Sequence, residues 1–171
     1  GKVDVLTSMF PQAKKDRWGT IWYDSDGFEY RTGYHLPTKL HTLIFLYILW
    51  RCKEDDYKKD IQLTFEEILV ACDLPKTKDM LKIIEEAISR WFYITLDFKN
   101  KYISMGFRII NSFAITTDGT IAITVNSKWI NKIRAKGLFS QTELLDTNPL
   151  WSKISPEVYY EEKTEKKEQV P

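Results

Sequence analysis

Two cysteines, two histidines, seven glycines and six prolines are few for 171 residues. Cys52 and Cys72 each fall within an apolar helical pattern, and no C-x-x-C pair exists. That excludes a disulfide scaffold and a thiolate zinc site, and leaves buried thiols in a reducing compartment. His35 and His41 have no third ligand nearby, too few for a metal centre. The longest apolar run, Leu43 to Trp50, is far too short to span a bilayer. Gly1 to Phe10 has no long apolar stretch, so no signal peptide is expected, and the chain reads as soluble and cytoplasmic. There is no phosphate-binding G-x-x-x-x-G-K-[ST] loop, no G-x-G-x-x-G fingerprint, no G-x-S-x-G elbow and no H-E-x-x-H. The expectation is a protein that is not an enzyme, with no cofactor, metal or small-molecule substrate. Strong charge of one sign is lacking too. The net charge is +1, and the segment from Glu157 to Pro171 carries five glutamates against three lysines, so the rest of the chain holds +3. A modestly basic body is compatible with nucleic acid without demanding it.

What the chain does have is helical and strand periodicity with clear stop signals. Residues 1–17 end in Lys14, Lys15 and Arg17 and read as a mobile arm; 18–154 read as the folded domain; 155–171 read as a charged, disordered tail. Trp18–Tyr23 and Phe28–Tyr30 flank Asp24-Ser25-Asp26-Gly27, a hairpin with Gly27 supplying a positive φ. The D-x-D-G fragment lacks the later ligands of a calcium loop and is a turn. Leu36-Pro37-Thr38 opens a helix to about Cys52. Its residues Leu40, Leu43, Ile44, Tyr47, Ile48 and Trp50 leave almost no polar face, so it belongs at the centre of the domain.

Thr64 and Glu67 have the spacing of a capping box. The helix they start, with Phe65, Ile68 and Leu69 on one face, stops at Asp73-Leu74-Pro75, because the residue before proline is pushed out of helical geometry. Thr77 caps a second helix to about Arg90, with Leu81, Ile84, Ile88 and Trp91 at helical spacing. Trp91 to Phe98 turns aromatic and β-branched, the composition of a strand, and Lys99-Asn100-Lys101 makes a hairpin tip. Helix, tight turn, helix, hairpin is the order of a winged helix, an α+β fold that combines a helix-turn-helix with an antiparallel β-wing. Ile61-Gln62-Leu63 is expected to join the wing. Tyr102–Thr116 and Ile121–Val125, separated by the turn at Asp118-Gly119, extend the antiparallel sheet. Asn126 caps a last helix, Ser127 to about Lys136.

Candidate DNA-binding residues follow from where cations meet helix ends and turns. Lys76, Thr77 and Lys78 flank the amino end of the second helix, where backbone amides and lysines can hold a phosphate, and Lys82 shares a face with Lys78. Lys99, Asn100 and Lys101 sit at the hairpin tip. Lys128, Lys132 and Lys136 form a stripe, read either as phosphate contacts or as a solvated face near a helix carboxyl end. Glu85 and Glu86 farther along the second helix limit insertion to its amino end. The alternative to duplex DNA as partner is a second copy of the chain, a homodimer joined through a sheet edge; a third reading is a transcriptional regulator of the same fold, because fold does not fix role.

The run L-P-T-K-L-H-T-L-I-F-L-Y-I-L-W from Leu36, then L-T-F-E-E-I-L-V-A-C-D-L from Leu63, then L-K-I-I-E-E-A-I-S-R-W-F-Y-I-T-L from Leu81, resembles the N-terminal winged-helix domain of plasmid replication initiator proteins. I-T-V-N-S-K-W from Ile123 resembles the strand and helix that close that domain. The resemblance covers about Phe28 to Gly137. It implies an initiator that binds repeated sites at a plasmid origin and helps open it, with a first winged helix that often dimerises and contacts mostly phosphates. Such proteins usually carry two winged helices in tandem, and no second helix-turn-helix pattern follows Leu145.

Overall fold

The structure, a computed structural model, describes residues 13–23 and 27–136, with backbone alone for Lys39 and for 132–136. In chain order the elements are β1 (Lys14–Asp16), β2 (Gly19–Tyr23), β3 (Glu29–Thr32), α1 (Lys39–Glu54), β4 (Asp60–Thr64), α2 (Phe65–Ala71), α3 (Lys78–Phe92), β5 (Thr95–Lys99), β6 (Ser104–Arg108), β7 (Ile110–Ile115), β8 (Thr120–Val125) and α4 (Ser127–Lys136).

Helix α1 is the hub. Every residue from Leu40 to Leu49 is buried, as the missing polar face requires. Its amino end is closed by a capping box in which histidine takes the usual place of glutamate. The His41 N–H donates to Thr38 Oγ1 at 3.2 Å, and the Thr38 N–H donates to His41 Nδ1 at 3.1 Å. Phe45 stacks on Trp91 of α3, ring centroids 4.1 Å apart, and lies 5.6 Å from Trp129 of α4. One aromatic side chain therefore ties three helices together.

The helix-turn-helix forms as its start and stop signals dictate. Thr64 and Glu67 complete the capping box of α2. Asp73 adopts φ 53, and the Leu74 N–H donates to the Leu69 carbonyl at 2.8 Å, which ends the helix and buries Leu74. Thr77 caps α3 through the Met80 N–H at 3.0 Å. The buried stripe of α3 is Met80, Ile84, Ala87, Ile88 and Trp91; Leu81 lies at its half-buried margin.

All strand pairings are antiparallel, in two sheets of order β1-β2-β3-β5-β6 and β4-β8-β7. The fold is α+β and a winged helix, but the wing differs from the sequence expectation. The strand ahead of the helix-turn-helix, β4, pairs with β8 along its whole length, Ile61 opposite Ile123 and Leu63 opposite Ile121. The wing is therefore the β7–β8 hairpin with its tip at Thr116–Thr120. The Phe65 N–H holds that tip against the start of α2 through the Gly119 carbonyl at 3.0 Å. Lys99-Asn100-Lys101 tips an inserted hairpin whose strand β5 pairs with β3, Tyr30 opposite Leu96. The reason is burial: Leu96 and Trp22 face the core on the inner side of the five-stranded sheet, where Phe28 packs on Phe98 at 4.9 Å.

The arm expected over 1–17 is shorter at its inner end, because Lys14–Asp16 pairs with Gly19–Ile21 as β1. Gly19 makes this turn feasible. It sits at φ +126, and a Cβ there would lie 2.2 Å from the Thr32 carbonyl oxygen. The rest of the arm, and the segment expected as a tail, lie outside the described residues.

Candidate nucleic-acid interface

The amino end of α3 is open to solvent. Lys76, Thr77, Lys78, Asp79 and Lys82 are all exposed. Lys76 donates to Glu66 of α2 at 2.9 Å, an exposed pair whose net contribution is small. Among the described residues no ion pair engages Lys78 or Lys82, and these two lysines stand free at the first turns. The local charge is balanced nonetheless, with Glu66, Asp79 and Glu85 exposed nearby.

Glu86 does not lie on the exposed face with Glu85. It accepts from Arg90 Nε at 2.9 Å and from the Tyr34 hydroxyl at 3.1 Å. Partial burial pulls its carboxyl pKa upward, but the bonds from Arg90 and Tyr34 outweigh that and hold it below the ordinary carboxylate value. This acid is committed within the domain, so it opposes an approaching phosphate less than the sequence suggests.

The wing tip carries no lysine or arginine. Asp118 accepts from Thr116 Oγ1 and from the Thr120 N–H, and these bonds lower its pKa, so it is anionic at neutral pH. A negative tip beside α2 is poorly suited to rest on phosphate.

The remaining predicted residues belong to other elements. Asn100 fixes the inserted hairpin: its Oδ1 accepts from the Tyr102 and Ile103 N–H groups at 2.8 and 2.9 Å. Lys99 and Lys101 are exposed, and Lys101 Nζ stands 4.9 Å over the Tyr102 ring. Lys128 is exposed in the first turn of α4, its N–H bonded to Asn126 Oδ1 at 2.9 Å. The side chains of Lys132 and Lys136 lie outside the described residues. The ten candidate residues thus belong to three separate elements, and only Lys76, Thr77, Lys78 and Lys82 share the helix-turn-helix.

A feature that the sequence does not announce lies at the other end of α3. Trp18, Tyr34 and Tyr93 are 63%, 40% and 49% exposed. Arg17 stacks on Trp18 at 4.4 Å, and Arg108 stands 4.0 Å over Phe92 and 5.9 Å from Tyr93. Tyr34 lies between β3 and α1 and Tyr93 follows α3, so no spacing in the sequence brings these two together. Among the described residues no helix is long and apolar enough to cross a membrane, and no group of three metal-ligating side chains occurs.

No protein-family model matches the sequence, and no curated protein matches it. Solved structures do. Domains 2 and 3 of RctB superpose with a TM-score of 0.51 at 12% identity, over 75% of this chain and 59% of that one. A second structure of RctB domains 2–3 gives 0.45 at 14% identity, over 78% and 58%. The WH1 domain of MSBI1.176, a replication protein isolated from a multiple sclerosis patient, gives 0.43 at 13% identity, over 57% and 79%. This chain spans less than two thirds of the RctB structures it matches. The likeness to the first is one of fold.

Proposed function

We propose that this chain is a replication-initiator winged-helix domain that binds duplex DNA without catalysing a reaction. The observation that carries the reading is the exposed amino end of α3, where Thr77 caps the helix and Lys78 and Lys82 are free of acid partners among the described residues. Helix amides and a positive dipole end favour an anion, and flanking lysines add charge. Contacts of this type position a protein on the sugar-phosphate chain. Base reading is confined to the first turn of α3, because the exposed Glu85 opposes deeper entry. Repeated origin sites are the expected target, through the resemblance to plasmid initiators.

The test is Lys78→Ala with Lys82→Ala, measured by anisotropy on an origin-like duplex across a salt series. The slope of log affinity against log salt should fall by roughly 2, near 0.9 for each phosphate no longer neutralised. An unchanged slope and affinity at low salt would remove this end of α3 from the interface. A second reading, a dimerisation module, is favoured by the open edges β6 and β7 of the two sheets. Sedimentation with and without duplex separates the two: a dimer with no DNA affinity sinks the first, and a strict monomer that binds DNA sinks the second.

A further inference from the structure

The carboxyl end of α3 and the β1–β2 turn meet in a surface the duplex reading leaves unused. Strand pairing places Asp16 opposite Gly19 and Thr20 opposite Thr32, so the turn carrying Arg17 and Trp18 lies against Thr32-Gly33. A Cβ added at Gly33 would sit 3.8 Å from the Trp18 carbonyl oxygen. Tyr34 follows directly. Its ring lies 5.2 Å from Tyr93 and 5.0 Å edge-on from His35, and Tyr93 lies 5.1 Å from Phe92. The rings of His35, Tyr34, Tyr93 and Phe92 thus adjoin one another, with Arg108 over Phe92, and the β1–β2 turn beside Gly33 carries the exposed Trp18 with Arg17 on its ring.

The carboxylates bordering this run are already engaged. Asp16 accepts from Arg31 Nη1 at 2.8 Å and from the Trp18 N–H at 2.7 Å. Glu86 is held by Arg90 and by the Tyr34 hydroxyl, which also fixes the orientation of the Tyr34 ring. Arg17 and Arg108 form no ion pair among the described residues; each instead lies on an aromatic face. No large aliphatic side chain is exposed in the run: Val70 and Ile103, the exposed aliphatics of the described chain, are on α2 and the inserted hairpin.

We propose that Trp18, Tyr34 and Tyr93, with Arg17 and Arg108, form a stacking platform for single-stranded nucleic acid. Planar rings accept the faces of unpaired bases regardless of sequence; the exposed Arg17 takes a phosphate, while the part-buried Arg108, which donates to the Phe92 carbonyl at 2.9 Å, braces the rings. A duplex buries those base faces in its own stack, so the platform selects unpaired strands. The lysines of the proposed duplex site are toward the opposite end of the same helix, Lys78 about 22 Å and Lys82 about 16 Å along the axis from Tyr93 at 1.5 Å per residue. The platform therefore stands independently of the duplex reading, and the two fail separately.

The experiment uses the whole chain and dye-labelled oligothymidylate and oligouridylate of about 12 nucleotides, within the span one such groove covers. Anisotropy gives affinity, and quenching of indole emission reports contact at the exposed Trp18. Trp18→Ala and Tyr93→Ala should each weaken strand binding roughly 5- to 100-fold while duplex affinity holds. Arg17→Glu should weaken it as well. Lys78→Ala with Lys82→Ala should do the converse. Absence of strand binding at low salt, or equal affinity in the Trp18→Ala/Tyr93→Ala double variant, overturns the proposal. So does a chain that binds no strand but self-associates and becomes monomeric in that double variant.

Discussion

Replacing His41 by glutamine should make the domain less sensitive to acid, and the structure sets the size of the effect. His41 is the third residue of α1, and its Nδ1 must stay unprotonated to accept the Thr38 N–H. Burial disfavours the charged ring most, and Arg90 adds repulsion against an opposing pull from Glu86; the pKa falls from 6.5 to about 4. The folded value lies below the unfolded one, so between these pH values the unfolded chain holds the extra proton. Stability is complete above about pH 6.5 and is lost as pH falls toward 4. At about 1.4 kcal/mol per pH unit the total is about 3 kcal/mol, a large fraction of a domain's stability. Glutamine at this position can close the same capping box and does not titrate. Urea unfolding at pH 7, 5.5 and 4.5 should therefore show the His41→Gln protein losing about 2.5 kcal/mol less than the parent by pH 4.5. Other carboxylates titrate in both proteins and cancel in the difference. Parallel pH profiles for the two would refute the claim that a neutral imidazole caps α1.

Two further substitutions probe the frame on which the sites rest. Phe45→Ala removes the ring between Trp91 and Trp129 and should cost roughly 3–5 kcal/mol in denaturant unfolding; a loss below about 1 kcal/mol would mean the three helices do not depend on it. Gly19→Ala forces a Cβ against the Thr32 carbonyl at a φ that disfavours L-residues, so it should cost at least about 2 kcal/mol or detach β1, read as reduced amide protection over Lys14–Asp16 and weakened strand binding.

Local rules carried the helices, and tertiary pairing decided the rest. Both threonine caps of the helix-turn-helix, the glutamate returning to Thr64 and the stop before Pro75 are short-range chemistry, readable from residues three or four apart. The choice of wing was not. Two hairpins follow α3, and each has polar tip residues between apolar strands. Which one joins β4 depends on partners more than 50 residues away in sequence, Ile121 and Ile123 against Leu63 and Ile61. The β5 strand instead completes a sheet begun before α1, because Tyr30 and Leu96 share a register and Trp22 stacks on Tyr30 at 5.5 Å. The same limit applies to Glu86. Its neighbour Glu85 has identical chemistry, yet a one-position turn of the helix puts Glu86 against Arg90 and Tyr34.

Swapping the wing changes what each end of α3 can do. An acidic, lysine-free wing gives little backbone grip, so the proposed duplex contact falls to the first turn of α3 and to lysines outside the helix-turn-helix. The inserted β5–β6 hairpin, meanwhile, extends the sheet whose first turn carries Trp18, and its last residue, Arg108, reaches back over Phe92 and donates to the Phe92 carbonyl at 2.9 Å. The insertion is thus what adds the second arginine to the aromatic surface at the carboxyl end of α3. A winged helix without it would keep the helix-turn-helix and lose Arg108 from beside Tyr93. The two proposed sites lie toward opposite ends of one helix, α3, whose Trp91 stacks on Phe45 at 4.1 Å. That geometry suits a protein that holds paired and unpaired DNA at once, and duplexes bearing a single-stranded overhang should bind more tightly than either part alone if both sites engage one molecule.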